Sequence, residues 1–320
     1  MSGRAPVIAA RDLEVTYPGH PPVHAVRGVS FELFRGEVVG LVGESGCGKS
    51  TIAKVLTGLV RPAAGEVEYH GRPVRPLGVG RRPLAQTGIQ MVFQDPGSSL
   101  NPRRPVGAQI QDGLDLAAKR ARRSGRRSGA GPVGEPPADP ANVRRVIGQP
   151  ADAAVSPTAA RLLPAGSPGR WLERVGLEAA DQSRYPRSFS GGQRQRIATA
   201  RALAAEPDVL IGDEPISALD ASTQAKVAYL MSRLALSQGA VLLFISHDLS
   251  VVRLIADRLL VMWAGRIVES GPTEAVWSNP GHPYTKVLLG AIPAPDGAGR
   301  LPLVPPSAAA FDAPPVIHAP

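Results

Sequence analysis

The sequence predicts an α/β protein with a mixed β-sheet at its core, and three observations support this fold class. Strand-like segments alternate along the chain with segments of helical periodicity. Two strand-like segments, 209–212 and 240–245, are apolar throughout, which is typical of buried parallel strands. A glycine-rich stretch, 43–48, lies between an apolar strand and a helix, an arrangement in which the helix N-terminus commonly binds an anion.

The N-terminal third of the chain is predicted to be mainly β-structure. Residues 8–42 contain segments in which apolar and polar residues alternate and segments that are continuously apolar, with glycines between them. These patterns predict several strands. Residues 49–59 have helical spacing and end near a glycine and a proline, as helices commonly do. The segment 66–74 predicts a short hairpin, and residues 89–93 predict another short strand.

The C-terminal half is predicted to contain helices between buried strands. A short helix is expected at 171–177, and an amphipathic helix at 191–207 that ends at a proline. Residues 225–238 have helical periodicity, and residues 257–269 predict a final hairpin. The 30 residues from Ala291 contain 8 prolines and predict an extended tail.

Composition excludes several classes of protein. The 320 residues include a single cysteine, Cys47, which excludes a disulfide framework and a cysteine-built zinc or iron–sulfur site. No apolar run reaches the roughly 18 residues that a membrane-spanning helix needs. The N-terminus lacks the apolar core of a signal peptide, so we expect a protein that neither spans the membrane alone nor is secreted.

One segment differs in composition from the rest of the chain. Residues 117–170 contain ten basic and three acidic side chains, which accounts for most of the net charge of +9. No Phe, Tyr or Trp occurs between residues 94 and 170. The 46 residues of 124–169 include 7 glycines and 8 prolines. Such a segment buries too little apolar surface to offset the entropy lost on ordering. We therefore predict a flexible insert over about 117–170.

The stretch GESGCGKST matches the phosphate-binding pattern G-x-x-x-x-G-K-[ST]. Its residues are Gly43, Glu44, Ser45, Gly46, Cys47, Gly48, Lys49, Ser50 and Thr51. Glycines let successive backbone N–H groups turn toward phosphate oxygens, Lys49 reaches the β- and γ-phosphates, and the Ser50 hydroxyl ligates Mg²⁺. The alternative is a chance glycine-rich turn, which the flanking strand and helix disfavour. Cys47 is interpreted as a small filler rather than a nucleophile.

The apolar strand that begins at Val209 ends in an acidic pair, Asp213 and Glu214. Asp213 is predicted to hold Mg²⁺ through water, and Glu214 to polarise the water that attacks the γ-phosphate. Acidic residues are common at strand ends, so the pair alone is weak evidence for a catalytic or metal-binding site. With a phosphate loop upstream, the pair predicts nucleotide hydrolysis.

The segment 189–193, FSGGQ, resembles the signature of ATP-binding cassette (ABC) ATPases, which usually reads LSGGQ. Ser190 can cap the helix that follows, and the two glycines expose backbone donors. In this family the signature closes over ATP held by the phosphate loop of a second cassette. The resemblance therefore implies that these residues act in a partner's site: Ser190, Gly191, Gly192 and Gln193.

Four further residues follow the family's order. Tyr17 matches the aromatic residue that stacks on adenine, and Gln94 matches the glutamine that senses Mg²⁺ and the γ-phosphate. Asp220 ends the SALD loop that crosses the dimer, and His247 matches the histidine that contacts the γ-phosphate. The resemblance thus implies ATP and Mg²⁺ as cofactors. It implies catalytic roles for Lys49, Gln94, Glu214 and His247, and metal-binding roles for Ser50, Gln94 and Asp213.

The resemblance also implies a domain organisation. The ABC ATPase domain covers 8–272, with a mixed sheet core of the P-loop NTPase type, an N-terminal antiparallel β subdomain and an inserted helical subdomain at about 94–190. The predicted flexible insert lies within the helical subdomain. Residues 273–320 form a C-terminal extension with a proline-rich tail.

A narrower resemblance is to the ATPases of oligopeptide and dipeptide importers. It rests on GESGCGKST, VFQDP with SLNPR, YPRSFSGGQRQRIATARAL, and above all NPGHPYT at 279–285, and it leans toward the second, F-type, ATPase of those systems. The chain departs from the family in three ways: the long insert, Ile216 in place of Thr or Val, and a tail at 305–311 without the cysteines that many relatives carry. A cysteine-based cluster therefore cannot form in this tail.

The resemblance implies a peripheral subunit at the cytoplasmic face of the inner membrane. Its expected partners are a second ATPase subunit, identical or not, two transmembrane permease subunits and, indirectly, an extracytoplasmic solute-binding protein. An ABC ATPase that acts on nucleic acid is the alternative suggested by the basic segment, but that segment lacks aromatic residues to stack on bases, so no nucleic acid is expected. A metabolic P-loop kinase is disfavoured by the signature and by His247.

Overall fold

The computed structural model of the chain describes residues 4–78, 82–124, 166–217, 219–292, 311 and 313–319. The chain divides into two compact units, the first made of residues 1–79 and 243–320, and the second of residues 80–242. Strands and helices occur in both units, so the predicted α/β class is confirmed.

The first unit contains most of the strands. Its elements are β1 Ile8–Tyr17, β2 Val23–Leu33, β3 Val38–Val42, α1 Lys49–Leu56, β4 Ala64–Tyr69, β5 Arg72–Pro73, most of β8 Val241–Ser246, α7 Leu249–Ile255, β9 Arg258–Trp263, β10 Arg266–Pro272, α8 Thr273–Ser278, α9 Pro283–Gly290 and β11 Val316–Ile317.

The second unit contains most of the helices. Its elements are β6 Ile89–Val92, α2 Pro96–Ser99, α3 Val106–Ser124, α4 Pro168–Arg174, α5 Gly191–Ala204, β7 Val209–Asp213 and α6 Ala221–Ser237, with 3₁₀ turns at Leu84–Gly88, Ala179–Ser183 and Pro186–Ser188.

A four-stranded antiparallel sheet forms the N-terminal part of the first unit, in the order β2-β1-β4-β5. Buried and exposed residues alternate in the later part of each strand, at Leu13 and Val15 of β1 and at Val29, Phe31 and Leu33 of β2, because one face of the sheet packs inward there while the other meets solvent. The predicted hairpin at 66–74 is confirmed, since Glu68 pairs with Pro73 across β4 and β5.

The strands that carry the phosphate loop belong to a second sheet. Within the first unit its order is β11-β10-β9-β3-β8. Strand β3 is parallel to β9, every residue of β3 is buried, and β9 and β10 form the predicted final hairpin. Complete burial of β3 fits its apolar sequence, VVGLV, and fixes the point at which the following loop begins.

In the second unit, β6 runs parallel to β7, and Val92 pairs with Gly212 near the carboxyl ends of both strands. Helix α3 packs against α5, and α5 also packs against α6. The two parallel strands therefore bring the residues that follow them, Gln94 after β6 and Glu214 after β7, to the same edge.

The insert predicted from residue 117 begins as a helix rather than as a flexible segment. Helix α3 continues to Ser124 because Arg120 anchors it: its guanidinium donates to the carbonyls of Ala205 and Glu206, both at 3.0 Å, and pairs with Asp208 at 3.2 Å. Residues 166–170 lead into α4. Residues 125–165 lie outside the described part of the chain, so their flexibility stays a prediction.

The predicted tail also contains an ordered piece. Residues 316–317 form β11, which pairs in parallel with Glu269 and Ser270 of β10. In the described ranges, no helix combines the length and the hydrophobicity required to cross a bilayer.

Candidate functional site

The predicted phosphate loop connects the buried strand β3 to helix α1. Three of its glycines have positive φ: Gly43 at 150°, Gly46 at 82° and Gly48 at 112°. A Cβ on Gly43 would lie 2.1 Å from the Met262 carbonyl oxygen, and one on Gly48 would lie 2.2 Å from the Ala25 carbonyl oxygen. Side chains are thus excluded at both positions by conformation and by space. A loop that needs glycine at these positions can wrap its backbone N–H groups closely around phosphate oxygens.

Lys49, the first residue of α1, is only 4% exposed. Its ammonium donates to the carbonyl oxygens of Gly43, at 2.8 Å, and Glu44, at 2.7 Å. Two carbonyl acceptors compensate a buried charge only in part, because no carboxylate partner is among these contacts. The cation is therefore held inside the loop in a position to meet an anion there.

Other loop residues lie close to Lys49. The Cys47 thiol is buried 3.8 Å from the Lys49 ammonium; burial raises the pKa of Cys47, and the charge on Lys49 partly opposes that rise. A raised pKa keeps the thiol protonated and favours the predicted filler role. Glu44, Ser45 and Gly46 are exposed at the tip of the loop.

Tyr17 and Thr51 join the same region, since their hydroxyl groups lie 3.4 Å apart. Tyr17 ends β1, so the antiparallel sheet delivers an aromatic ring next to the start of α1. Ser50, predicted to ligate Mg²⁺, lies between Lys49 and Thr51 in the first turn of α1.

His247 lies at the end of β8 and is exposed. The next residue, Asp248, caps α7 by accepting hydrogen bonds from the amides of Ser250, at 2.9 Å, and Val251, at 3.2 Å. The cap fixes the backbone immediately after His247 and leaves the imidazole at the surface.

The predicted catalytic residues of the second unit meet at the shared edge of β6 and β7. The Gln94 side-chain amide donates to Glu214 Oε2 at 3.1 Å. Asp213, the last residue of β7, is 7% exposed, whereas Glu214 is half-buried. The predicted sensor and the predicted base are therefore directly linked, beside a nearly buried carboxylate.

Glu214 has a left-handed backbone conformation, with φ of 46°. This conformation costs a non-glycine residue about 1–2 kcal/mol and is held here by a turn in which the Ser217 amide and hydroxyl donate to the Glu214 carbonyl oxygen, at 3.3 and 3.2 Å. Such strain is concentrated at functional sites. It turns the Glu214 side chain out of the β7 pattern, toward Gln94.

The signature segment starts α5 through a capping box. The Ser190 hydroxyl accepts from the Gln193 amide at 3.3 Å, and the Gln193 side-chain oxygen accepts from the Ser190 amide at 2.9 Å. The predicted cap by Ser190 is thus observed, with Gln193 as its reciprocal partner. Phe189, which stands where the usual signature has Leu, is 4% exposed. The position is therefore a buried one that suits an apolar side chain, whether Phe or Leu.

The loop after Glu214 leads to a second capped helix. Asp220 accepts from the Thr223 amide at 3.0 Å at the start of α6. Ile216, which stands where Thr or Val is usual, is 2% exposed and therefore fits an apolar position.

Two polar contacts near the site were missed by sequence reasoning. The Tyr284 hydroxyl accepts from the Glu44 amide at 3.0 Å, and the Gln195 side chain, on α5, donates to the Phe93 carbonyl at 3.4 Å, one residue before Gln94. Tyr284 lies within the quoted NPGHPYT segment, but that pattern assigned it no partner. No local signal marks Gln195, because its contact is made with a residue about 100 positions away.

Comparison with known families gives two matches. The family described as "ABC transporter" matches residues 26–217, and the family described as "Oligopeptide/dipeptide transporter, C-terminal region" matches residues 268–315.

Curated relatives cover most of the chain. A dipeptide transport ATP-binding protein, DppF, of Haemophilus influenzae is 42% identical over 271 residues, which cover 85% of this chain and 71% of the relative. An oligopeptide transport ATP-binding protein, OppF, of Bacillus subtilis is 43% identical over 276 residues, covering 86% and 78%. These matches place the chain in a family of peptide-transport ATP-binding proteins. The expected designation of the chain as an F-type ATPase was wrong.

Solved structures support the fold. CbiO1 of Clostridium perfringens, part of the ABC transporter complex cbiONQ, has a TM-score of 0.59 and 25% identity, covering 86% of this chain and 91% of that one. A dimeric ATP-binding cassette bound to ADP and Pi also has a TM-score of 0.59, with 24% identity, covering 83% and 98%.

Proposed function

The chain belongs to the ABC transporter family of ATP-binding proteins, and on this premise we propose that it binds and hydrolyses ATP to energise the import of peptides or of a related small solute. The observation that carries the proposal is the buried ammonium of Lys49, held by two backbone carbonyls inside a loop that excludes side chains at Gly43 and Gly48. The C-terminal region at 268–315 supports the peptide class of cargo.

The first unit would hold the nucleotide. The loop amides and Lys49 would bind the β- and γ-phosphates, since the loop offers donors and a positive charge but no anion among its first contacts. Tyr17 would stack on the adenine, and the Ser50 hydroxyl would ligate Mg²⁺. The donor set for the metal is hard oxygen throughout, which suits Mg²⁺: Ser50, Gln94 and, through water, Asp213.

The second unit would supply the hydrolytic residues. Glu214 would accept a proton from the attacking water, and Gln94, which donates to that carboxylate at 3.1 Å, would hold it in place. Asp213 would hold a Mg²⁺-bound water, and His247 of the first unit would contact the γ-phosphate. Bound Mg²⁺ would neutralise charge on the transferring phosphoryl group.

The signature would serve a second cassette. Ser190 to Gln193, together with the Asp220 loop, would complete the site of a partner ATPase subunit, so two cassettes would be needed for hydrolysis. We propose a cassette dimer, of identical or related chains. Two transmembrane permease subunits and an extracytoplasmic solute-binding protein would complete the importer, with this chain at the cytoplasmic face of the membrane. The relatives named above are transport proteins, so a nucleic-acid function is not proposed.

Uptake and hydrolysis measured together test the proposal. The chain would be co-expressed with its permease subunits, reconstituted in vesicles, and assayed for ATP hydrolysis and for uptake of labelled di- and oligopeptides. We expect both with the wild type and neither with Lys49→Ala, whereas Lys54→Ala, at an exposed lysine of the same helix, should behave as the wild type. ATP hydrolysis that persists in Lys49→Ala would overturn the ATPase assignment. Hydrolysis that peptides do not stimulate, but that a solute unrelated to peptides does, would overturn the cargo class.

A further inference from the structure

We propose that Tyr284, which lies outside the matched ATPase domain, is a positioning residue for Lys49: its hydroxyl fixes the peptide group between Gly43 and Glu44, and that peptide aims the lysine ammonium. This inference rests on the proposed function. It assigns a role in nucleotide binding to the C-terminal extension.

The geometry of one peptide group carries the argument. The Glu44 N–H donates to the Tyr284 hydroxyl at 3.0 Å, and the Gly43 carbonyl accepts from the Lys49 ammonium at 2.8 Å. These two groups are the opposite ends of a single planar trans peptide, so they point in opposite directions. A hydrogen bond that holds one end therefore fixes the direction of the other.

The position of this peptide needs such an anchor. Gly43 has no side chain and has φ of 150°, so its own steric preferences restrict the peptide weakly. The Glu44 carbonyl also accepts from Lys49, at 2.7 Å. Both carbonyls that hold the ammonium, those of Gly43 and Glu44, are therefore next to the Glu44 N–H that donates to Tyr284. Rotation of the Gly43–Glu44 peptide would remove one acceptor and shift the charge.

Tyr284 is suited to this role because it cannot move freely. It is 1% exposed at the second position of α9, and burial raises its pKa, which keeps the hydroxyl neutral. Its ring packs against Phe311 in an edge-to-face geometry, with centroids 5.5 Å apart, and near Trp263 at 6.0 Å. Aromatic contacts of this kind restrict the ring and hence the hydroxyl.

The C-terminal segment that includes Phe311 is itself docked. His318 Nε2 lies 2.6 Å from Oε1 of the buried Glu269, and the two residues before His318 form β11, which pairs with β10. Glu269 also accepts from the amides of Gly281 and His282, at 2.7 and 3.0 Å, just before Tyr284. One buried carboxylate thus ties the segment after residue 311 to the turn that presents Tyr284.

The test removes the hydroxyl alone. Tyr284→Phe in the full-length chain should weaken ATP affinity about fivefold, the usual effect of losing one hydrogen bond. Because this hydrogen bond is also present without nucleotide, its loss should lower the unfolding temperature of the nucleotide-free chain as well, by no more than a few degrees. Tyr69→Phe, at another buried tyrosine of the same unit, should leave ATP affinity unchanged. Phe311→Ala should weaken affinity in the same direction, whereas Ile317→Ala, at an 80% exposed tail residue, should not.

A double-mutant cycle separates positioning from a general structural effect. If Tyr284 acts through Lys49, the Tyr284→Phe change should have no further effect on the binding of a fluorescent ATP analogue when Lys49 is already alanine. A fivefold loss in both backgrounds, or no loss from Tyr284→Phe in the wild type, overturns the inference. Normal affinity in Lys49→Ala alone would instead overturn the proposed function.

Discussion

Two helices of this protein begin at segments proposed to contact a nucleotide, and their N-termini are built differently. Helix α1 has Gly48 as its N-cap residue, with no side chain and a φ of 112°, so the amides of its first turn face the loop without a side-chain cap from that residue. Helix α5 has Ser190 as its N-cap residue, and the amide and hydroxyl of Ser190 are both hydrogen-bonded to Gln193.

The difference indicates what each helix can do in a single chain. The α1 terminus combines amide donors with the Lys49 ammonium, and needs only an anion to complete it. The α5 terminus is satisfied at Ser190 and Gln193 by its own box, and the amides of Gly191 and Gly192 lie outside that box. This difference supports the proposal that the first terminus binds a nucleotide on its own chain, and that the second adds donors to a site that another chain presents.

Replacing Lys49 should give the largest effect and tests the first half of the comparison. Lys49→Ala removes the charge that the loop holds, so ATP hydrolysis in the assembled transporter should fall by about 100-fold or more, and nucleotide affinity should also fall. A coupled assay of phosphate release measures it, with Lys54→Ala as the control. Turnover close to that of the wild type would mean that the α1 terminus is not the nucleotide site.

Glu214→Gln should separate binding from hydrolysis. The amide keeps the shape of the side chain and can still accept from Gln94, but it cannot take a proton, so hydrolysis should fall by about 100-fold or more while ATP stays bound. Size-exclusion chromatography with ATP and Mg²⁺ should show more cassette dimer than the wild type, and Glu173→Gln should not. Equal dimerisation of mutant and wild type would exclude Glu214 as the base.

Ser190→Arg tests the second half of the comparison. The arginine should block a partner's site without weakening ATP binding to the mutant's own loop, because the α1 terminus is unchanged. If the cassettes form a homodimer, mixing mutant and wild-type chains in the reconstituted complex should lower activity out of proportion to the mutant fraction. Activity that simply follows the amount of wild-type chain would show that the sites are not shared.

Deleting residues 125–165 should give the smallest effect. The composition of this segment offers little apolar surface to bury, and shortening a segment of that kind should change stability only slightly. ATP affinity and the unfolding temperature should both stay near those of the full chain when the ends are joined by a short Gly/Ser linker. Loss of folding would mean that the segment packs on the rest of the protein.

Sequence patterns predicted features that depend on residues close together in the chain better than features that depend on residues far apart in it. The glycine-rich loop, the Ser190 cap and the hairpin at 66–74 were all predicted correctly, because each depends on residues within a few positions of one another. The flexible insert was predicted to begin at about residue 117, whereas α3 continues to Ser124, because Arg120 anchors the end of this helix through carbonyls about 85 residues away. Local composition carries no record of such an anchor.

The sequence by itself determined the chemistry of this protein: the residue types of the phosphate loop, the acidic pair after β7, and the serine and glutamine that cap α5. These follow from short patterns whose geometry is set by backbone rules. Only the tertiary structure decided which side chains support them. Gln94 meets Glu214 because β6 and β7 are parallel neighbours, and Tyr284 meets Glu44 because the C-terminal extension packs against the phosphate loop within the first unit. Both contacts join residues more than 100 positions apart, and packing alone brings them together.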